Sequence, residues 1–185
     1  SYGNDYASVV PLLINNTLSI VAFMREGLVV LNAGNGSELF FESFQSPINA
    51  SVNAATPLVL KNGIFLSSCY EVGAGYWIFS SGKSGKKIMN LWRKNGVLDC
   101  HYSTPVQKGD FIFGFHGRQE RGSLLRCIRL SDGEVMWTAP SMGTGHLIRI
   151  GDHILCLTEV GELIVFKAKS EGFEIEFRQQ VLGAG

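Results

Sequence analysis

One unit recurs along this chain: a strand-like run, a tight turn carrying glycine, and a short run that ends in a large aromatic. The clearest copy is Cys127-Ile128-Arg129-Leu130-Ser131-Asp132-Gly133-Glu134-Val135-Met136-Trp137. The same shape runs from Val30 to Phe40 around Asn35-Gly36. A looser copy joins Ile78-Phe79 through a longer turn rich in Ser, Gly and Lys, including Gly85, to Leu91-Trp92. The last runs from Leu163 past Glu171-Gly172 to Phe177. Asn-Gly and Asp-Gly are strong hairpin signals because these residues tolerate the positive φ that tight turns need. The closing aromatics Phe40, Trp92, Trp137 and Phe177 stand 52, 45 and 40 residues apart, which brackets the period of a four-stranded blade.

The front half of each unit repeats as well. Thr56-Pro57 leads into Leu58–Leu60, the turn Lys61-Asn62-Gly63 and Ile64–Leu66; Thr104-Pro105 leads into a matching strand, turn and strand. His146–Cys156 follows without the proline, and Ser8–Ile14 with Asn15-Asn16-Thr17 is the first version. No window repeats apolar residues at helical spacing over three turns. Each unit therefore reads as four short antiparallel strands. One such sheet cannot bury both of its faces alone, so neighbouring sheets must stack. The predicted fold is all-β: a single partial β-propeller domain over 1–185, with blades near 7–44, 53–93, 101–138 and 144–180.

These units resemble the repeat of quinoprotein-like (PQQ-like repeat) propellers, whose blades close on A-x-D-x-x-T-G-K-x-x-W. Gly36, Gly85 and Gly133 fall at or near the glycine, and Phe40, Trp92 and Trp137 at the aromatic. The motif's Asp and Thr are replaced by Asn32 and Asn35 in one copy and by Arg129 and Asp132 in another, and the fourth copy ends on Phe177. The resemblance extends to the propeller lipoprotein of outer-membrane protein assembly. It implies that each aromatic docks on the next blade's glycine turn, that a full ring has seven or eight blades, and that the compartment is periplasmic or secreted. Four blades leave two completions open, a longer chain or two copies closing one ring; the abrupt start and stop favour the former. Either way, exposed blade edges favour self-association or a protein partner.

Composition narrows the function. Lys and Arg together number 16, Asp and Glu 16, so no surplus of positive charge points to nucleic acid. The longest apolar runs, Val9–Ile14 and Leu18–Phe23, are too short for a membrane-spanning helix. No charged segment followed by an apolar one opens the chain as a signal peptide would. Cys69, Cys100, Cys127 and Cys156 form no CxxC pair; Cys127 and Cys156 sit in apolar strands as small core residues, and one disulfide stays open. The resemblance would place a vicinal cysteine pair and a Glu/Asn/Asp calcium set near a quinone. Neither is visible here, so no cofactor is expected, PQQ with calcium included.

The binding candidates are polar residues at loops. His101 and Tyr102 lead into the third blade, His146 into the fourth, and Asn53 is the counterpart leading into the second. His116 and Arg118 belong to the hairpin between the second and third strands of blade three, where Arg118 and Arg121 suit an anion. Local hydrogen bonding of turn backbones is the competing role for the histidines, and simple solvation for the arginines. The expected function is a non-catalytic protein-interaction or assembly scaffold; the alternative is a quinoprotein-type oxidoreductase whose catalytic residues lie mostly outside this chain.

Overall fold

The computed structural model describes residues 2–82 and 85–183. Four sheets, each of four antiparallel strands in sequence order, hold nearly all regular structure among these residues. Blade 1 comprises β1 (Val10–Ile14), β2 (Thr17–Met24), β3 (Gly27–Asn32) and β4 (Glu38–Ser43). Blade 2 comprises β5 (Leu58–Leu60), β6 (Gly63–Ser68), β7 (Gly73–Gly82) and β8 (Gly85–Lys94); the tip of its longer turn, residues 83–84, lies outside the described residues. Blade 3 comprises β9 (Val106–Lys108), β10 (Phe111–His116), β11 (Leu124–Arg129) and β12 (Val135–Thr138). Blade 4 comprises β13 (Gly145–Ile150), β14 (His153–Thr158), β15 (Glu162–Lys167) and β16 (Ile175–Gln180). One 3-10 turn, Gln119–Arg121, is the only helical segment described, and no described helix is long and apolar enough to cross a membrane.

The repeat is sharper in register than in sequence. A single row of side chains crosses all four strands of every blade: Val10, Val21, Val30 and Phe40 in blade 1. Leu58, Phe65, Tyr76 and Trp92 form it in blade 2, and Val106, Phe113, Cys127 and Trp137 in blade 3. Ile148, Leu155, Val165 and Phe177 form it in blade 4. A β-bulge follows the third member of the row each time, at Val30/Leu31, Tyr76/Trp77, Cys127/Ile128 and Val165/Phe166. A bulge bends its strand and re-aims the next side chain, and it recurs beside the closing aromatic's partner position in every blade.

The core lies in the joints between blades. Side chains alternate across a strand, so adjacent residues serve opposite joints. Ile64, Leu66 and Trp77 pack with Val21, Phe23 and Val30 of blade 1, whereas Phe65, Tyr76 and Trp92 pack with Ile112, Ile128 and Leu130 of blade 3. Phe113, Phe115 and Cys127 then meet Ile154, Ile164 and Phe166 of blade 4.

The expected stapling occurs at two joints. The Trp92 ring covers the Gly133 turn, and its indole N–H donates to Leu130 O at 2.8 Å. The Trp137 indole donates to Lys169 O at 2.9 Å and meets Phe173 at 5.6 Å between ring centroids. The first joint is built differently. Asn15, in the β1–β2 turn, accepts from Lys86 N at 2.7 Å and donates to Lys86 O at 3.0 Å, while Phe40, Phe79 and Ile88 each pack against the core shared by blades 1 and 2. Trp77, outside the motif's aromatic position, is the largest fully buried side chain; its indole donates to Glu42 Oε2 at 2.8 Å.

Candidate functional site

Each blade has two loop-bearing ends. At one end lie the β1–β2 and β3–β4 type turns with their staples. At the other lie the connections between blades and the turns joining second to third strands. This second end, the rim, gathers most of the candidate residues.

The connection into blade 3 is fixed to the β10–β11 turn by a short parallel bridge between Cys100 and Gly117, with Gly117 N donating to Asp99 O at 2.9 Å. That bridge brings His101 and Tyr102 beside Arg118 and Glu120. The His101 side chain is buried, its Nε2 lies 2.8 Å from the Tyr70 hydroxyl, and its Nδ1 faces Glu120 Oε2 at 3.7 Å. The tautomer that suits both neighbours carries its proton on Nδ1 and accepts from Tyr70 at Nε2. Burial holds the His101 pKa below the ordinary histidine value, with the Glu120 carboxylate opposing that shift, and burial raises Tyr70. Tyr102, 44% exposed, stacks on the His101 ring at 3.9 Å, and the Arg118 guanidinium lies 4.8 Å above the Tyr70 ring. Tyr70 and Glu71 both take positive φ, 62° and 67°, a backbone state that costs non-glycine residues about 1–3 kcal/mol. The Tyr70 carbonyl accepts from Ser46 Oγ, so both ends of the residue are held.

His116 belongs to the layer beneath. Its Nδ1 accepts from Asp99 N at 3.0 Å, which requires a neutral ring, and burial lowers its pKa to about 4. Burial raises the Asp99 carboxyl to about 6 although Gly96 N donates to it. Cys69 Sγ contacts Asp99 O at 2.8 Å. All four thiols are free and buried, and burial pushes each up to about 12, so none is a ready thiolate near neutrality.

Two predicted residues stand apart from this cluster. Asn53 is buried; its side-chain amide donates to Met24 O at 2.9 Å, and its backbone carbonyl accepts from Tyr6 N and Ala7 N. It keeps the level of His101, five residues ahead of its blade's row, and Asp5 holds that level in blade 1. His146 is exposed and stands level with Thr104 rather than His101; it lines a cleft of about 250 Å³ with Tyr102 and Ser103. Tyr70 and Glu120 were not singled out in the sequence, although the 48-residue step between rows would have aligned the turns that carry them. Among the described residues, no group of three or more His, Cys, Asp or Glu is arranged to hold a metal ion.

BamB from Moraxella catarrhalis superposes on 97% of this chain with a TM-score of 0.69 at 14% identity. The chain has a β-propeller fold. The propeller also matches the quinohemoprotein alcohol dehydrogenase from Comamonas testosteroni, over 97% of its length with TM-score 0.60 and 9% identity. The computationally designed Ika8 protein matches 90% of it with TM-score 0.59 and 10% identity. The propeller spans 50%, 35% and 48% of those three chains respectively. No protein-family model and no curated protein matches the sequence.

Proposed function

We propose that this propeller segment is a non-catalytic scaffold that holds a protein partner on its rim. The observation that carries the reading is the ordered pair of aromatics and arginine: exposed Tyr102 stacked on buried His101, and Arg118 laid over Tyr70. Tyrosine and arginine are enriched at interface hot spots, and side chains held before binding lose less freedom when a partner arrives. The His101–Tyr70 bond and the Ser46 contact supply that order. The resemblance of the repeats to the propeller lipoprotein of outer-membrane protein assembly supports the same reading.

A peptide library displayed on phage and panned against the chain tests it. Selected peptides should lose at least about tenfold in affinity with Tyr102→Ala and with Arg118→Ala, at unchanged melting temperature. Peptides that bind both variants as tightly as the parent would overturn the reading. Quinone-dependent dye reduction after incubation with calcium and quinone would favour the oxidoreductase alternative.

A further inference from the structure

Each of the three joints between blades holds a cleft at its outer-turn end, and the first differs from the others in chemistry. The cleft between blades 2 and 3, about 350 Å³, mixes Lys61 and Arg129 with Asp110 in its lining. The cleft between blades 3 and 4, about 410 Å³, mixes Lys108 and Lys169 with Asp110 and Glu171. Most of these cations are already answered: Arg129 pairs with Asp132 and Glu134, Lys108 with Asp152, and Lys169 with Glu174. The first cleft, about 360 Å³, is walled by Ile14, Val30 and Phe40 of blade 1 and Ile88 of blade 2. Its charged lining is cationic throughout, Lys86 and Lys87, and neither pairs with a carboxylate among the described residues.

The strands fix both the wall and the mouth. Val30 stands level with Val10 through Val21, and Ile14 lies four residues further along β1, so the wall runs about 13 Å along the sheet. Asn15 and Asn16 take φ of 52° and 59° in the β1–β2 turn, which presents the Asn15 amide to the backbone of Lys86. Both atoms of that amide are engaged there, so the mouth is held in shape before any guest arrives. Both lysine side chains are exposed, whereas Phe40 and Ile88 are half-buried. All of these residues belong to the joint between two blades that the chain supplies in full.

An apolar wall with a few placed polar groups is the general form of a small-molecule site, and the volume lies in the range of such sites. A neutral apolar guest would leave both ammonium groups unanswered. A small hydrophilic anion would leave Phe40 and Ile88 in contact with water. We propose that this cleft binds a medium-chain carboxylic acid as its anion, with the acyl chain against Phe40 and Ile88 and the carboxylate at Lys86 and Lys87. The chain removes apolar surface from water, and the carboxylate accepts charge-assisted hydrogen bonds. The cleft lies at the opposite end of the blades from Tyr102 and Arg118, so it stands independently of the rim.

Isothermal titration calorimetry of decanoate into the 185-residue chain, below the concentration at which the acid forms micelles, tests the proposal. One decanoate should bind per chain. Decanol has the chain without the charge and acetate the charge without the chain; each should bind at least about tenfold more weakly. Replacing both exposed lysines, Lys86→Gln with Lys87→Gln, should weaken decanoate about tenfold and leave decanol and the far-UV circular dichroism unchanged. Lys61→Gln, in the second cleft, should leave decanoate binding at the parent value. Carbon-13-labelled decanoate should show nuclear Overhauser contacts from its chain to the Phe40 ring and the Ile88 methyl groups. No binding at millimolar decanoate, decanol binding as tightly as decanoate, an unchanged affinity in the double lysine variant, or contacts from the bound chain to other parts of the molecule would each overturn the proposal.

Discussion

Gly133→Ala and Gly36→Ala place the same methyl group in the same backbone conformation, with and without an aromatic above it. Both variants carry the cost of a left-handed L-residue, about 1–2 kcal/mol. At Gly133 the new Cβ would also stand 2.9 Å from an indole tethered to Leu130 O at 2.8 Å. Either the ring moves and leaves that carbonyl unpaired, or the joint spreads; each route costs about 1–3 kcal/mol. Gly133→Ala should therefore exceed Gly36→Ala by roughly 2 kcal/mol, or about 4–8 °C in melting temperature for a chain of this size. Urea denaturation followed by tryptophan fluorescence and by far-UV circular dichroism gives the two values. A third arm closes a double-mutant cycle: with Trp92 already replaced by alanine, Gly133→Ala should cost no more than Gly36→Ala. Equal costs at the two glycines with Trp92 in place would refute the docking argument.

The staples should differ in strength. Trp92→Ala should cost about 3–5 kcal/mol and Trp92→Phe about 1–2, with Trp137→Ala below Trp92→Ala because its ring is only half-buried; denaturant melts rank them. At the first joint, Asn15→Ala should cost about 1–2 kcal/mol by removing both bonds to the Lys86 backbone, and Asn15→Asp should lose the donation to Lys86 O while keeping the acceptor for Lys86 N. Asp99 and His116 should cancel in the pH dependence of stability. The Asp99 pKa is raised from 3.8 to about 6, so its contribution is present below about pH 4 and lost as pH rises to 6; the His116 pKa is lowered from 6.5 to about 4, so its contribution grows over the same interval. Urea melts between pH 4 and 7 should show stability rising in Asp99→Asn and falling in His116→Gln, each by about 1 kcal/mol relative to the parent, since solvent screens both groups. Parallel pH profiles in the two variants would refute the assignment.

The blade architecture was legible because it rests on short-range signals: Asn35-Gly36 and Asp132-Gly133 each fix a hairpin, and the closing aromatic follows at a set distance. The irregular spacing of those aromatics came from hairpins of unequal length and a shorter step into blade 4. Sixteen residues separate Tyr76 from Trp92, against ten from Cys127 to Trp137, because blade 2 has a longer outer hairpin. Measured on the inner strands, the rows advance by 48 residues from Val10 to Leu58 and from Leu58 to Val106, and by 42 from Val106 to Ile148. Trp77 was hidden because pattern reading assigns one aromatic to each unit, whereas alternation across β7 sends Tyr76 and Trp77 to different joints. At the rim, His101, Tyr102, His116 and Arg118 were named from loop position alone, and their meeting depends on the Cys100–Gly117 bridge, a contact without sequence signature. Tyr70 was missed because nothing in Ser68-Cys69-Tyr70-Glu71 announces two successive residues of positive φ.

The two ends of each blade carry different physical loads. At the outer turns, the indoles of Trp92 and Trp137 and the Asn15 amide are spent on backbone groups of the next blade, so these side chains fix the angle between sheets. At the rim, connections are held from behind: Arg25 donates to carbonyls of Ile48, Asn49 and Ser51, and Arg126 to those of Gly96 and Val97. A loop anchored through its carbonyls leaves its outward side chains uncommitted. Tyr102 and His146 are exposed on such a rim, whereas their level in the fold is set by strands that cannot shift register without turning every apolar row to water. Substitution of these exposed rim side chains is therefore cheap in stability and substitution in the rows is costly.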